Sequence, residues 1–253
     1  MSVLVVEIVD KGIIFAADRA ISQGSVNVDN RRKVIYLPEN KGLVGYCGLA
    51  ELNGKDMDVW LKEYLIDNNR CNSLEALARD LTSEVERQVR VDLGNNPVEL
   101  MIDIGGFGKK EGHSVPEIWY ISNVHGIDDK TGGYVNIDTN FGCSEQFSPH
   151  CRDVQPANVQ NALRALSQKL EPLWFHHCID LPKFNIFSTF LRHSFKHLYR
   201  LLPNDIPKDL SDWEKHTKMQ ILMYGAYYEA FYPEGKRPVG GGCDAVTMPW
   251  PSG

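Results

Sequence analysis

The chain has 253 residues, of which 43% are hydrophobic and 24% are charged, and its formal net charge is −6. This composition predicts a globular protein with a sizeable core, and the negative charge argues against a duplex nucleic-acid binder, which normally presents a basic face. No apolar stretch approaches the roughly 20 residues that a membrane helix needs, so membrane insertion is not expected.

The amino-terminal region predicts a β-hairpin. Residues 3–9 and 13–17 are apolar and rich in β-branched side chains, and Asp10-Lys11-Gly12 between them is typical of a turn. The polar residues 22–30 predict a loop. Further strands are expected at 33–37, 43–47, 98–104, 117–121, 134–138 and 244–248.

Helical periodicity is clearest over residues 73–91, where apolar side chains recur every three or four positions after Ser73, a favourable N-cap. A helix is also predicted at 51–65. Residues 156–232 look almost wholly helical, with breaks at the prolines between 172 and 182 and between 203 and 207. The predicted helices of this region span 157–170, 185–202 and 210–232.

Blocks of strands that alternate with blocks of helices favour an α+β fold over a parallel β-α-β sheet. We expect one domain over residues 1–253. The six cysteines are scattered without a C-x-x-C pair, and acidic Glu7 and Asp10 interrupt the apolar amino-terminal run. These features predict reduced thiols and no signal peptide, and therefore a cytoplasmic protein.

Five segments carry short motifs. The first, residues 2–20, contains Ser2, Gly12 and Asp18 and is followed by Lys33. The others are, in chain order, GYCGLA at 45–50, IWYIS at 118–122, FGCS at 141–144 and GGGCDAVTM at 240–248. Together they resemble the proteasome β subunits, which are N-terminal-nucleophile hydrolases, and in particular their bacterial-type homologues. Ser2, Gly12, Asp18 and Lys33 stand at places that match the start of the mature β subunit.

The resemblance implies a four-layer αββα sandwich, with a helical insertion at about 156–206. It also implies peptide or amide hydrolysis without a cofactor or metal, by a homo-oligomer that could form a ring. Ser2 is then the nucleophile once Met1 is removed, Asp18 and Lys33 support it, and the Gly48 N–H is the oxyanion donor.

The residue types suit this chemistry. A serine hydroxyl needs an adjacent base, and a free α-amine has an unperturbed pKa near 7.7–8.0 that allows it to act as one. A nearby ammonium such as that of Lys33 favours negative charge on the hydroxyl oxygen, and Asp18 is expected to pair with Lys33. Since serine is small, we expect Met1 to be removed without a propeptide.

Substrate contacts are carried over from the family more loosely. The positions that match its first specificity pocket are Ala20, Ile21, Arg31, Tyr46 and Ala50. Their side chains differ in shape and charge, so the sequence predicts no preferred residue at the cleavage site.

The chain also departs from the family pattern. Serine replaces the family's threonine nucleophile, and Arg237, Gly240 and Cys143 stand where the family has an accessory aspartate and two serines. Ser144 is a candidate replacement for one lost hydroxyl.

Two other functions remain open. One is an amidase, acylase or transpeptidase with a specific small substrate, and the other is a non-catalytic assembly subunit. The histidines at 176, 177, 193 and 197 include a pair one helical turn apart, but without an HExxH glutamate we expect a helix face with a core or subunit contact instead of a zinc site.

Overall fold

The computed structural model describes residues 3–23, 26–68, 71–94, 96, 98–127, 134–147, 154–167, 173–178, 207–231 and 241–251. These residues form an α+β fold with antiparallel sheets, as the sequence predicts. The strands are β1 Val3–Val9, β2 Gly12–Asp18, β3 Ala20–Gln23, β4 Val26–Asn30, β5 Val34–Tyr36, β6 Leu43–Gly48, β7 Glu51–Leu52, β8 Lys55–Asp56, β9 Leu100–Lys110, β10 His113–Ile127, β11 Tyr134–Glu145, β12 Leu173–Cys178 and β13 Cys243–Pro249. The helices are α1 Met57–Asp67, α2 Leu74–Leu93, α3 Val159–Ser167 and α4 Leu210–Phe231.

The predicted amino-terminal hairpin forms the centre of a four-stranded sheet. β1 and β2 pair from Leu4–Ala17 to Val9–Gly12. The strand order is β12-β1-β2-β13, so the hairpin lies between two strands from the carboxyl-terminal part of the chain. Every residue of β1 and β2 is buried, which explains why both strands are apolar except for Glu7 and Asp18.

A five-stranded sheet in the order β11-β10-β9-β6-β5 packs on one face of this hairpin. Gly45 and Gly105 let the two sheets approach closely. A Cβ atom on Gly45 would lie 2.6 Å from Leu4 Cδ1, and one on Gly105 would lie 2.6 Å from Phe15 Cε2. A side chain at either position would force its neighbours to shift, so glycine suits both positions.

Helices α1 and α2 cover the other face of the five-stranded sheet. Their apolar side chains form one buried cluster with those of β6, β9 and β10 that point away from the hairpin. Ser73 caps α2 as predicted, because its Oγ accepts a hydrogen bond from the Ala76 N–H at 3.1 Å.

Helix α4 packs on the face of the hairpin that points away from the five-stranded sheet. Trp213 packs against Val9 and Ile14 in a buried cluster. Buried Glu7 of β1 accepts hydrogen bonds from Thr217 Oγ1 at 2.5 Å and from Gln220 Nε2 at 2.9 Å. These contacts tie the helix to the sheet through a polar as well as an apolar interface.

Three predictions of secondary structure are wrong. The predicted loop at 22–30 includes parts of strands β3 and β4, which pair with each other. The helix predicted from residue 51 begins at Met57, because residues 51–56 form the β7–β8 turn. The break predicted between 172 and 182 contains a strand that was not predicted, because residues 173–178 form β12 beside β1. The helix predicted at 185–202 lies outside the described residues, as does the part of the proposed insertion from 179 to 206.

None of the helices in the part of the chain that the structure describes is long and apolar enough to cross a membrane.

Candidate active site

The predicted pairing of Asp18 with Lys33 is present, and the pair is completely buried. Asp18 ends β2 with 0% of its surface exposed, and Lys33 lies just before β5 with 1% exposed. Lys33 Nζ lies 3.1 Å from Asp18 Oδ1 and also donates to the Ala20 carbonyl at 2.5 Å. Because Coulomb attraction strengthens away from water, this pair holds both charged groups in one geometry.

Asp18 also holds the amino end of β1. Its Oδ1 accepts the backbone N–H of Val3 at 2.8 Å, and its Oδ2 accepts the N–H of Ala20 at 3.1 Å. Val3 follows Ser2 directly in the chain, so the ion pair lies one residue from the predicted nucleophile. Met1 and Ser2 themselves lie outside the described residues.

Gly48, the predicted oxyanion donor, is the last residue of β6 and has a φ of 103°. A side chain is strained at this φ, so glycine suits the position. The preceding Cys47 is buried, and burial followed by the nearby Asp103 raises the pKa of its thiol, while Lys33 acts in the opposite sense. This end of β6 therefore lies near the ion pair, and Cys47 remains a neutral thiol instead of a competing nucleophile.

The five predicted substrate positions have different surroundings. Ala20 is buried beside the ion pair, and Ile21 and Ala50 are half-buried. Arg31 binds within the protein, since its Nη1 lies 2.8 Å from Asp56 Oδ1 and donates to the Ala50 carbonyl at 3.1 Å. Tyr46 is 1% exposed and packs with the helix-side core.

The structure adds Arg19 and Asp244, which the motif comparison did not single out as site residues. Arg19 Nε donates to Asp244 Oδ2 at 2.8 Å, and a second Arg19 nitrogen binds Asp244 Oδ1. Arg32 Nε lies 3.6 Å from the same carboxylate. Asp244 follows Cys243, which pairs with Asp18 across strands β13 and β2. The Arg19–Asp244 pair therefore lies beside the Lys33–Asp18 pair. The sequence feature that could have revealed this pair is Asp244, an acidic residue inside an otherwise mostly apolar final strand.

The residues that depart from the family pattern have different surroundings in the structure. Cys143 packs on the helix-side core, and Ser144 is exposed and accepts a hydrogen bond from Gln146 Nε2 at 2.7 Å. Arg237 and Gly240 lie outside the described residues. Cys243 stands opposite Asp18, and burial raises the pKa of its thiol to about 12, so it is neutral at pH 7.

No group of three or more potential metal ligands occurs among the residues that the structure describes. His176, His177 and Cys178 belong to β12, whose backbone pairs with Val3–Val5, and their side chains lie outside the description. His193 and His197 lie wholly outside it.

No protein-family model matches the chain, and no curated protein matches it.

Proposed function

We propose that this chain is a proteasome-β-like N-terminal-nucleophile hydrolase, with Ser2 as the nucleophile after removal of Met1. The observation that carries the proposal is the buried Lys33–Asp18 pair, in which Asp18 also binds the N–H of the residue after Ser2. A buried ion pair costs desolvation energy, so its place at the start of β1 favours a chemical role over a purely stabilising one.

The packing supports the four-layer sandwich that belongs to this proposal. Helices α1 and α2 lie on the five-stranded sheet, the two sheets share a core, and α4 lies on the four-stranded sheet. Adjacent residues of β1 point to opposite faces, with Leu4 and Val6 in the core between the sheets and Glu7 toward α4.

The proposed reaction is acyl transfer to Ser2. Its Oγ forms a bond to the substrate carbonyl carbon while its proton passes to the Ser2 α-amine, directly or through one water. The resulting oxyanion accepts a hydrogen bond from the Gly48 N–H. The amide C–N bond then breaks, the leaving amine takes the proton, and water releases the acyl group by the same steps in reverse.

Lys33 and Asp18 have complementary parts in this scheme. The ammonium of Lys33 stabilises negative charge that develops on the Ser2 oxygen, and its 1% exposure strengthens this electrostatic effect. Asp18 pairs with Lys33 and accepts the Val3 N–H, which orients the start of β1. Neither residue forms a covalent bond with the substrate.

The decisive experiment combines intact mass with a mechanism-based label. We expect the purified protein to lack Met1, and a β-lactone probe to add one acyl group that peptide mapping assigns to Ser2. The variant Ser2→Thr should keep the label and Ser2→Ala should lose it. Ser83→Ala, an exposed serine on α2, should label normally.

Two results would contradict the proposal. A mass that still includes Met1, after expression with active methionine aminopeptidase, leaves no free α-amine on Ser2 and favours a non-catalytic assembly subunit. A label that survives Ser2→Ala assigns the reactivity to another residue.

Assembly into a homo-oligomer is also part of the proposal. Native mass spectrometry should give a multiple of the 28.6 kDa chain mass. A monomer at every concentration would contradict the proposed assembly. The proposed chemistry of Ser2 would then depend on the labelling experiment alone.

A narrower substrate range is the second candidate. Arg31 is held by Asp56 and the Ala50 carbonyl, and Tyr46 is buried in the core. Because neither side chain is free to line an open pocket, this arrangement favours an amidase that accepts small acyl groups. Cleavage of small acyl amides without cleavage of longer peptides would support this candidate.

A further inference from the structure

A cavity of about 350 Å³ opens at the end of the molecule opposite the Lys33–Asp18 pair. Its volume falls within the range of small-molecule sites, which is about 300–1,000 Å³. Apolar side chains from both sheets and both helices α1 and α2 line much of it: Leu65, Leu74, Leu77, Phe107 and Met248.

The strands fix the distance between this cavity and the candidate active site. β13 begins at Cys243, opposite Asp18, and reaches the cavity five residues later at Met248. At about 3.4 Å per residue, the two places lie on the order of 17 Å apart along the strand. β6 and β9 likewise run from one end to the other, so the cavity is a second site.

One charged side chain, Lys41, belongs to the described lining of the cavity. Its ammonium lies 3.0 Å from the carboxylate of Glu39, and both side chains are about half exposed or more, at 49% and 64%. An ammonium carries three N–H donors, and Lys41 is 49% exposed, so it can contact a ligand carboxylate while it stays paired with Glu39. The remaining polar lining residues, such as Asn68, Asn72 and Ser73, are uncharged.

We propose that this cavity binds a small amphipathic carboxylate, with its apolar body against Leu74, Leu77 and Phe107 and its carboxylate at Lys41. Apolar walls with one cation among the described lining residues complement a molecule that has an apolar chain and one negative end. The inference stands apart from the proposed hydrolase activity, because it uses none of the residues around Asp18.

Cys71 provides a direct reporter, since its half-buried free thiol lines the cavity. The experiment measures iodoacetamide alkylation of each cysteine by peptide mapping at alkaline pH, because burial raises the pKa of the Cys71 thiol. Octanoate at ten times its dissociation constant should slow Cys71 alkylation about tenfold. Cys143, which lies on β11 away from the cavity, should react at an unchanged rate.

Matched probes and variants test the charge assignment. Octanol and octylammonium have the same chain with no charge or the opposite charge, and we expect both to protect Cys71 less than octanoate. Lys41→Ala should raise the octanoate concentration needed for half protection about fivefold. Lys55→Ala is the control, because Lys55 is also 49% exposed and paired with a glutamate but lies outside the cavity.

Four outcomes would overturn the proposal. Octanoate could leave Cys71 unprotected, or protect Cys143 equally, which would indicate non-specific association. Equal protection by octylammonium, or by octanoate in Lys41→Ala, would show that the cavity does not select a carboxylate.

Discussion

The buried Lys33–Asp18 pair makes a sharp prediction at the scale of single residues. Lys33→Met removes the cation and leaves a carboxylate buried without its partner, which typically costs 3–5 kcal/mol. We expect urea denaturation to show a loss of about this size, and we expect labelling of Ser2 to be abolished.

A double variant separates the chemical role of the pair from its structural role. In Asp18→Asn combined with Lys33→Met, both charges are replaced by neutral side chains of similar size, so much of the lost stability should return. Labelling should remain absent. Recovery of labelling in the double variant would show that the pair only stabilises the fold.

Asp244 carries the second residue-scale prediction. Its carboxylate binds Arg19 through two nitrogens and is only 13% exposed. Asp244→Asn should destabilise the protein by about 1.5–3 kcal/mol, the usual value for hydrogen bonds to charged groups. It should also lower the rate of Ser2 labelling, because Arg19 follows Asp18 directly in the chain.

A double-mutant cycle of Asp244→Asn with Arg19→Gln checks that the two effects share one cause. Since the side chains are in contact, the combined loss of stability should be smaller than the sum of the single losses. Asp212→Asn, which breaks an exposed pair with Lys215, is the control. Additive losses would contradict the coupling.

The site residues differ in how far the sequence alone reveals them. Asp18 and Lys33 are 15 positions apart, and the resemblance of residues 2–20 to the proteasome β subunits implies that they meet. Arg19 and Asp244 are 225 positions apart, and only the pairing of β2 with β13 brings them together. Local sequence patterns do not specify which distant strands pair, so the Arg19–Asp244 contact could not be predicted from them.

The elements themselves follow mainly from short-range patterns. The hairpin of β1 and β2, the cap and period of α2, and the start of α4 are predicted because each uses neighbouring residues. β12 was missed because the prolines at 172 and 182 indicate only a break between helices, and its pairing with β1 is a tertiary contact. The β7–β8 turn was missed because its strands have two residues each.

Gly105 provides the prediction at the scale of packed elements. A Cβ atom there would lie 2.6 Å from the Phe15 ring and 2.7 Å from Ile118 Cδ1, so Gly105→Ala forces the two sheets apart. Overpacking of this kind costs about 1–3 kcal/mol. The measurement is the midpoint of urea unfolding.

Gly142→Ala is the matched control for this prediction. Gly142 is also a strand residue of the five-stranded sheet, and the nearest atom to its added Cβ is the Ser122 carbonyl oxygen at 3.8 Å, which is ordinary contact. We expect little change in its unfolding midpoint. Equal losses in the two variants would mean that the backbone effect of replacing glycine, and not crowding between the sheets, sets the cost.

The whole fold depends on burying polar groups along with apolar ones. Glu7 and His216 are nearly or fully buried where α4 meets the hairpin, at 0% and 5% exposure. Sequence periodicity marks the ends of α4 but does not indicate which face of the sheet the helix covers. Glu7 interrupts an apolar strand, and a glutamate at that place suggests that this face of β1 is exposed to solvent. The hydrogen bonds from Thr217 and Gln220 explain how the carboxylate is accommodated.

His216 predicts how the stability of the whole molecule depends on pH. Burial lowers its pKa from 6.5 to about 4, so the folded state keeps the imidazole neutral while the unfolded chain protonates near pH 6.5. Between these values the unfolded state binds more protons, so stability is complete above pH 6.5 and falls toward pH 4. The 2.5-unit difference corresponds to about 3 kcal/mol.

Urea unfolding of the protein and of His216→Phe at several pH values isolates this contribution from that of Glu7 and the other carboxylates. Phenylalanine keeps an aromatic ring beside Trp213, whose ring centroid lies 5.5 Å from that of His216. Between pH 7 and pH 4.5 the variant should lose less stability than the original protein, and the exposed His113→Gln should behave like the original. Parallel losses in all three proteins would show that His216 is protonated in the folded state, and that the α4 interface admits a charge that its burial is expected to exclude.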